Sequence, residues 1–89
     1  MIDQSYAEYA WQQTESLLSM DSPSGYTHAA AQWVKAAFDN LGLFATITNK
    51  GGVLVDLGGS GNGLLLAAHV DTLGAMVCQI KGNGWLKLT

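Results

Sequence analysis

The 89-residue chain predicts an α/β fold in which two N-terminal helices pack on a mixed sheet. Three observations carry this. Apolar residues recur at helical spacing from Asp3 to Leu41. The period shortens to two just after Gly42. An unbroken apolar run, Leu64 to His69, then follows a glycine-rich loop and reads as a strand covered on both faces. With 48% hydrophobic and 12% charged residues, the chain is far from the composition of a disordered tail. If compact, a domain of this length has a radius of gyration of about 12 Å. It buries only about 60–65% of its unfolded surface, so its stability is marginal. The single cysteine, Cys78, excludes an internal disulfide.

The elements follow in order. From Asp3 to Met20, Ala7, Ala10, Trp11, Thr14, Leu17 and Leu18 mark one helical face, with Asp3 as N-cap. Asp21-Ser22-Pro23-Ser24-Gly25 ends that helix, because proline restricts the residue before it and glycine turns the chain. From Thr27 to Leu41, Ala30, Trp33, Val34, Ala37, Phe38 and Leu41 repeat the helical period, and Gly42 is placed to cap the end. Trp11 and Trp33 are expected as core anchors. Residues 44–48 and 53–57 flank Asn49-Lys50-Gly51-Gly52 as a β-hairpin. Gly58 to Gly63 leads into the apolar run 64–69, and Ala75–Lys81 and Trp85–Thr89 are two further strands joined by Gly82-Asn83-Gly84. The run at 64–69 wants cover on both faces, while the chain offers two helices. The layout therefore reads as the opening third of a larger α/β domain.

Charge and hydropathy exclude several functions. The four basic residues are scattered lysines (Lys35, Lys50, Lys81, Lys87), there is no arginine, and the net charge is −3. A nucleic-acid partner would require a basic stripe. Met1-Ile2-Asp3 does not open a secretory signal, and Leu64–Val70 is too short to span a bilayer. With one thiol, a cytoplasmic location is expected.

Few residues are placed for chemistry. Gly58–Gly63 leads into a strand, whereas phosphate loops lead into a helix N-terminus, so it reads as a flexible connection. His28, in the first turn of the second helix, reads as solvated. Cys78 reads as packed in mid-strand without a partner to activate it, and the Ser22-Pro23-Ser24-Gly25 loop could reach the site, although a helix-to-helix connection suffices to explain it. His69-Val70-Asp71 is the informative triplet. It closes the apolar run, where open α/β sheets place their sites, and alternation puts His69 and Asp71 on the same side of the backbone. Two readings stay open on these residues alone. Neutral imidazole is a ligand for zinc or cobalt, and a neighbouring carboxylate sets its tautomer. The plainer alternative is a hydrogen-bonded histidine with an aspartate that starts a turn.

Taken in order, the segments resemble a known family. Leu17-Leu18-Ser19-Met20 precedes Ser22-Pro23-Ser24-Gly25-Tyr26. Asn49-Lys50-Gly51-Gly52 follows, then Leu65-Leu66-Ala67-Ala68-His69-Val70-Asp71-Thr72-Leu73-Gly74-Ala75-Met76-Val77 and Ile80-Lys81-Gly82-Asn83-Gly84-Trp85-Leu86. The pattern resembles the start of the glutamyl aminopeptidase and tetrahedral aminopeptidase family of two-metal metallopeptidases, with Ala67–Val77 its specific part. The resemblance implies a zinc-peptidase-like α/β/α domain, here residues 1–79, and entry into an inserted β-barrel domain at 80–89. It implies cytoplasmic homo-oligomeric enzymes acting on peptide substrates, with two divalent metal ions, zinc or cobalt. His69 matches a metal ligand, and Asp71 matches the catalytic-site residue that supports it. Thr27-His28-Ala29-Ala30-Ala31 replaces a helix start that is often acidic in the family, and Thr72 stands where many members carry glutamate. The family's bridging aspartate, catalytic glutamate and other ligands match positions after Thr89, so this chain alone is expected to be inactive. A related zinc exopeptidase or deacylase, or a non-catalytic α/β chain that associates through its strand edges, are the competing readings.

Overall fold

The computed structural model describes residues 3–89. Helix α1 spans Gln4–Leu18 and helix α2 His28–Asn40. Strands β1 (Ala45–Ile47) and β2 (Val53–Val55) form one antiparallel pair, and β3 (Val77–Ile80) and β4 (Leu86–Leu88) form another. The α/β class expected from the sequence is borne out. The mixed sheet is not: the described residues form two separate two-stranded antiparallel ladders.

Local chemistry explains the element ends. The Asp3 carboxylate accepts from Ser5 N–H at 3.1 Å, which caps α1 as expected. At the end of α2, Gly42 takes a φ of +83°. Its N–H donates to Asp39 O at 3.0 Å, and Leu43 N–H donates to Phe38 O at 3.2 Å. These two bonds form a Schellman cap, for which a residue without Cβ is suited. Asp39 then links helix to strand, with Oδ1 accepting from Ala45 N–H at 3.3 Å and Oδ2 pairing with Lys35 Nζ at 2.7 Å.

The core sits between α2 and the first hairpin. Ala30, Ala31 and Ala45 are buried hydrophobics, and α2 packs on both β1 and β2. The hairpin pairs Ala45 with Val55, Thr46 with Leu54 and Ile47 with Val53. Its turn is closed by Thr48 N–H to Gly52 O at 2.7 Å and Gly51 N–H to Thr48 O at 2.9 Å. Small residues at the contact let helix and strand approach closely, and Trp33 on the same helix is half-buried.

Four expectations are corrected. Residues 64–69 form no ladder, and Leu65 is 81% exposed, with Ala67 also exposed. A strand needs hydrogen-bonded neighbours on its edges, and none of the described strands lies along this run. Helix α1 does not pack on a sheet: none of its residues is buried and Trp11 is 65% exposed, because no described apolar face is presented to its stripe. Cys78 is exposed rather than packed. It is the extra residue at the register shift between Val77 and Gln79 in a two-stranded hairpin with no second layer over it.

The fourth correction concerns compactness. The radius of gyration is 17.3 Å, against about 12 Å for a compact chain of this length. The accessible surface is 7655 Å², whereas a compact monomer of this mass exposes about 5000 Å². The excess arises from the uncovered apolar residues of α1, the 64–69 run and the second hairpin.

Candidate metal-ligand site

The site is built where two chain segments distant in sequence are fastened together. Pro23 to Tyr26 makes a tight turn, closed by Tyr26 N–H donating to Pro23 O at 2.8 Å. Gly25, third in that turn, has a φ of +88°, as a type II turn requires there. Thr72 N–H donates to Ser22 O at 2.7 Å, and Pro23 and Thr72 form an isolated parallel bridge. Gly74 lies against Pro23 so closely that a Cβ there would be 3.0 Å from Pro23 Cβ. Backbone hydrogen bond and close packing thus hold the Ser22–Gly25 loop against residues 71–74.

Within this frame His69 Nδ1 lies 2.9 Å from Asp71 Oδ1 and 3.1 Å from Asp71 O. The second carboxylate oxygen, Oδ2, accepts from Ser24 Oγ at 2.5 Å. Both residues line a cleft of about 1110 Å³ between α2, the first hairpin and the 58–71 segment. The His69 side chain is 85% exposed and the Asp71 side chain 44%. The Ser24 hydroxyl, and after it the His69 imidazole, hold the Asp71 carboxyl below the usual aspartate range. Asp71 is therefore an anion at neutral pH.

The arrangement suits one ligand position. Nδ1 faces two oxygens that can only accept, so in the neutral ring Nδ1 carries the proton and Nε2 is left with its lone pair. A histidine tied to a carboxylate through one nitrogen and binding metal through the other is a recurring pattern. A zinc site takes at least three protein ligands, and no cluster of three or more metal-ligating side chains exists among the described residues. His69 with Asp71 accordingly fits a single ligand and its support.

The other sequence candidates lie apart from the site. His28 is exposed at the start of α2. Cys78 is exposed on the second hairpin. The Gly58–Gly63 loop lines the cleft and leads into no helix. Ser24 is the residue whose role sequence reasoning did not assign. The loop, read as able to reach the site but explained as a connection, does reach the Asp71 carboxylate, from 47 positions away. Its signal in the sequence was a serine within a Pro-Ser-Gly turn, which spacing alone could not connect to His69. No described helix is long and apolar enough to cross a membrane.

Comparison with known proteins adds the relationship. The M42 glutamyl aminopeptidase family matches residues 51–89. A protein of Bacillus subtilis (strain 168) named "Putative aminopeptidase YhfE" is 36% identical over 76 residues, which cover 83% of this chain and 22% of that protein. A protein of Pyrococcus abyssi (strain GE5 / Orsay) named "Putative [LysW]-lysine/[LysW]-ornithine hydrolase" is 34% identical over 70 residues, 78% of this chain and 21% of that protein. The chain thus spans about a fifth of the length of these curated relatives. No solved structure matches it. The resemblance read from the sequence is borne out: the segment 51–89, which carries His69 and Asp71, matches the M42 glutamyl aminopeptidase family.

Proposed function

We propose that this chain supplies the N-terminal part of a metal-dependent aminopeptidase, with His69 as one metal ligand and Asp71 as its catalytic-site support. The observation that carries the reading is the Nδ1 tie to Asp71, which leaves Nε2 of an exposed imidazole for a metal. The family match over the segment holding both residues supports it. Two divalent ions, zinc or cobalt, complete such a site, and when bound they polarise a peptide carbonyl and activate water. His69 contributes one neutral nitrogen to that site, and Asp71 keeps the ring oriented and its proton on Nδ1. Peptides are the substrates, the enzyme is a cytoplasmic homo-oligomer, residues 1–79 belong to the catalytic domain, and 80–89 lead into an inserted domain. The 89-residue chain alone is inactive, because catalysis requires several ligands and a base in one rigid geometry. A second reading, a related hydrolase acting on amino-acid conjugates, draws support from the Pyrococcus abyssi relative's name.

A chimera tests this. The chain replaces the matching segment of the Bacillus subtilis relative, the protein is stripped of metal, and zinc, cobalt or manganese is restored. The chimera is expected to release p-nitroaniline from aminoacyl-p-nitroanilides only with metal, and His69→Ala is expected to abolish turnover. A folded chimera whose activity survives His69→Ala would overturn the ligand assignment. Metal-dependent turnover by the 89-residue chain itself would overturn its assignment as one part of the site.

A further inference from the structure

We propose that Ser24 is a positioning residue for the metal-ligand face of His69, acting through Asp71; the inference rests on the reading of His69 as a ligand. Asp71 follows a run without ladder hydrogen bonds, and its side chain is nearly half exposed. A carboxylate in that setting is free to rotate and to exchange His69 for water. Ser24 Oγ removes the freedom by donating to Oδ2 at 2.5 Å, which leaves Oδ1 for His69 Nδ1 at 2.9 Å. One carboxylate then bridges two donors, and each bond fixes the orientation the other needs.

The serine is itself held. Its turn is closed by the Tyr26 to Pro23 bond, and the loop is fastened to the site segment by Thr72 N–H to Ser22 O and by the Pro23–Gly74 contact. The hydroxyl is therefore presented from a loop tied to the backbone immediately following Asp71. The proton inventory completes the chain. Ser24 gives its hydrogen to the Asp71 carboxylate, which accepts twice, and His69 must donate from Nδ1 to Oδ1 and the backbone Asp71 O, so its Nε2 stays bare. Removing the Ser24 hydroxyl frees the Asp71 carboxylate to turn toward water and leaves the backbone Asp71 O, at 3.1 Å, as the remaining acceptor at Nδ1, so the form protonated on Nε2, the nitrogen a metal would use, gains population. Ser24 touches neither metal nor substrate in this scheme.

The test reads the imidazole directly, with no metal present. In the ¹⁵N-labelled 89-residue chain above the ordinary histidine titration range, long-range proton–nitrogen spectra report which ring nitrogen is protonated. His28→Gln separates the two histidines. The expected wild-type result is a His69 ring with protonated Nδ1 and bare Nε2. Ser24→Ala is expected to move its population toward protonated Nε2, and Ser24→Thr, which keeps the hydroxyl, to restore the wild-type pattern. A slowly exchanging Thr72 amide in each variant shows that the loop is still fastened. If Ser24→Ala loses that bond, Ser24→Cys replaces it as the near-isosteric variant with a weak donor. In the chimera, Ser24→Ala is also expected to weaken zinc binding about tenfold. An unchanged tautomer in the fastened Ser24→Ala or Ser24→Cys chain would overturn the proposal, as would failure of Ser24→Thr to rescue. An inactive chimera beside the expected tautomer shift would instead overturn only the ligand reading.

Discussion

Helix α2 and the run from Leu64 to His69 are both apolar, yet one is buried against its neighbours and the other stands uncovered. The helix completes its own backbone hydrogen bonds and needs only a surface for its stripe. Strands β1 and β2, which follow immediately in sequence, provide that surface. The 64–69 run depends on partners for its backbone as well as its side chains, and no described strand supplies them. Helix α1 shows that periodicity is insufficient by itself, since it has a helical apolar stripe and none of its residues is buried. An apolar pattern thus states what a segment is able to cover, and the neighbouring chain decides whether it does.

The largest test of this contrast is a buried charge in the packed unit. Ala30→Asp, at a position with no exposure, is expected to cost about 3 kcal/mol or more. Loss of helical circular dichroism and of amide protection in β1 would show it; a folded variant of wild-type stability would break the assignment of the core. A smaller effect is expected where the two halves join. Gly74→Ala forces Pro23 to shift at a cost of about 1 kcal/mol. Faster hydrogen exchange at the Thr72 amide, with β1 unaffected, is the diagnostic, and unchanged exchange would show that the contact is loose in solution.

Acid should act on both regions through carboxylates whose folded pKa lies below the ordinary value. Lys35 lowers Asp39, with help from Ala45 N–H, and Ser24 followed by His69 lowers Asp71. A depressed carboxylate contributes stability that is fully present above its unfolded value, about 3.9, and is lost as pH falls through the folded value. Both links are therefore expected to hold at pH 5 and to come apart only below the usual aspartate range. Carboxyl carbon shifts followed by NMR read this directly. Midpoints at or above the ordinary value would count against both links. The smallest effect is expected at Leu65. Because this side chain is exposed, Leu65→Asp should change stability by no more than about 0.5 kcal/mol. A loss matching that of Ala30→Asp would show that the run is covered in solution, and would erase the contrast with α2.

Several features were legible in the sequence because their chemistry is local. Asp3 caps α1, Gly42 closes α2, and the Asn49–Gly52 and Gly82–Gly84 turns each join an antiparallel pair. The two-residue spacing of His69 and Asp71 likewise anticipated a contact that forms at 2.9 Å, even though the run before it makes no ladder. The positions of Trp11 and Cys78 were not legible, since exposure depends on what lies opposite rather than on the residue's own periodicity.

By itself the sequence determined the helix limits, the hairpin turns, the family resemblance of residues 51–89 and the pairing of a histidine with a nearby aspartate. Each of these depends on residues within a few positions of one another or on a contiguous motif. Only the tertiary structure decided which apolar faces are covered, and that Ser24 reaches Asp71. These depend on segments tens of residues apart, brought together by Thr72 bonding Ser22 and by Gly74 lying on Pro23. Such contacts are selected by packing geometry and by the closure of a long loop, neither of which leaves a periodic trace in the chain.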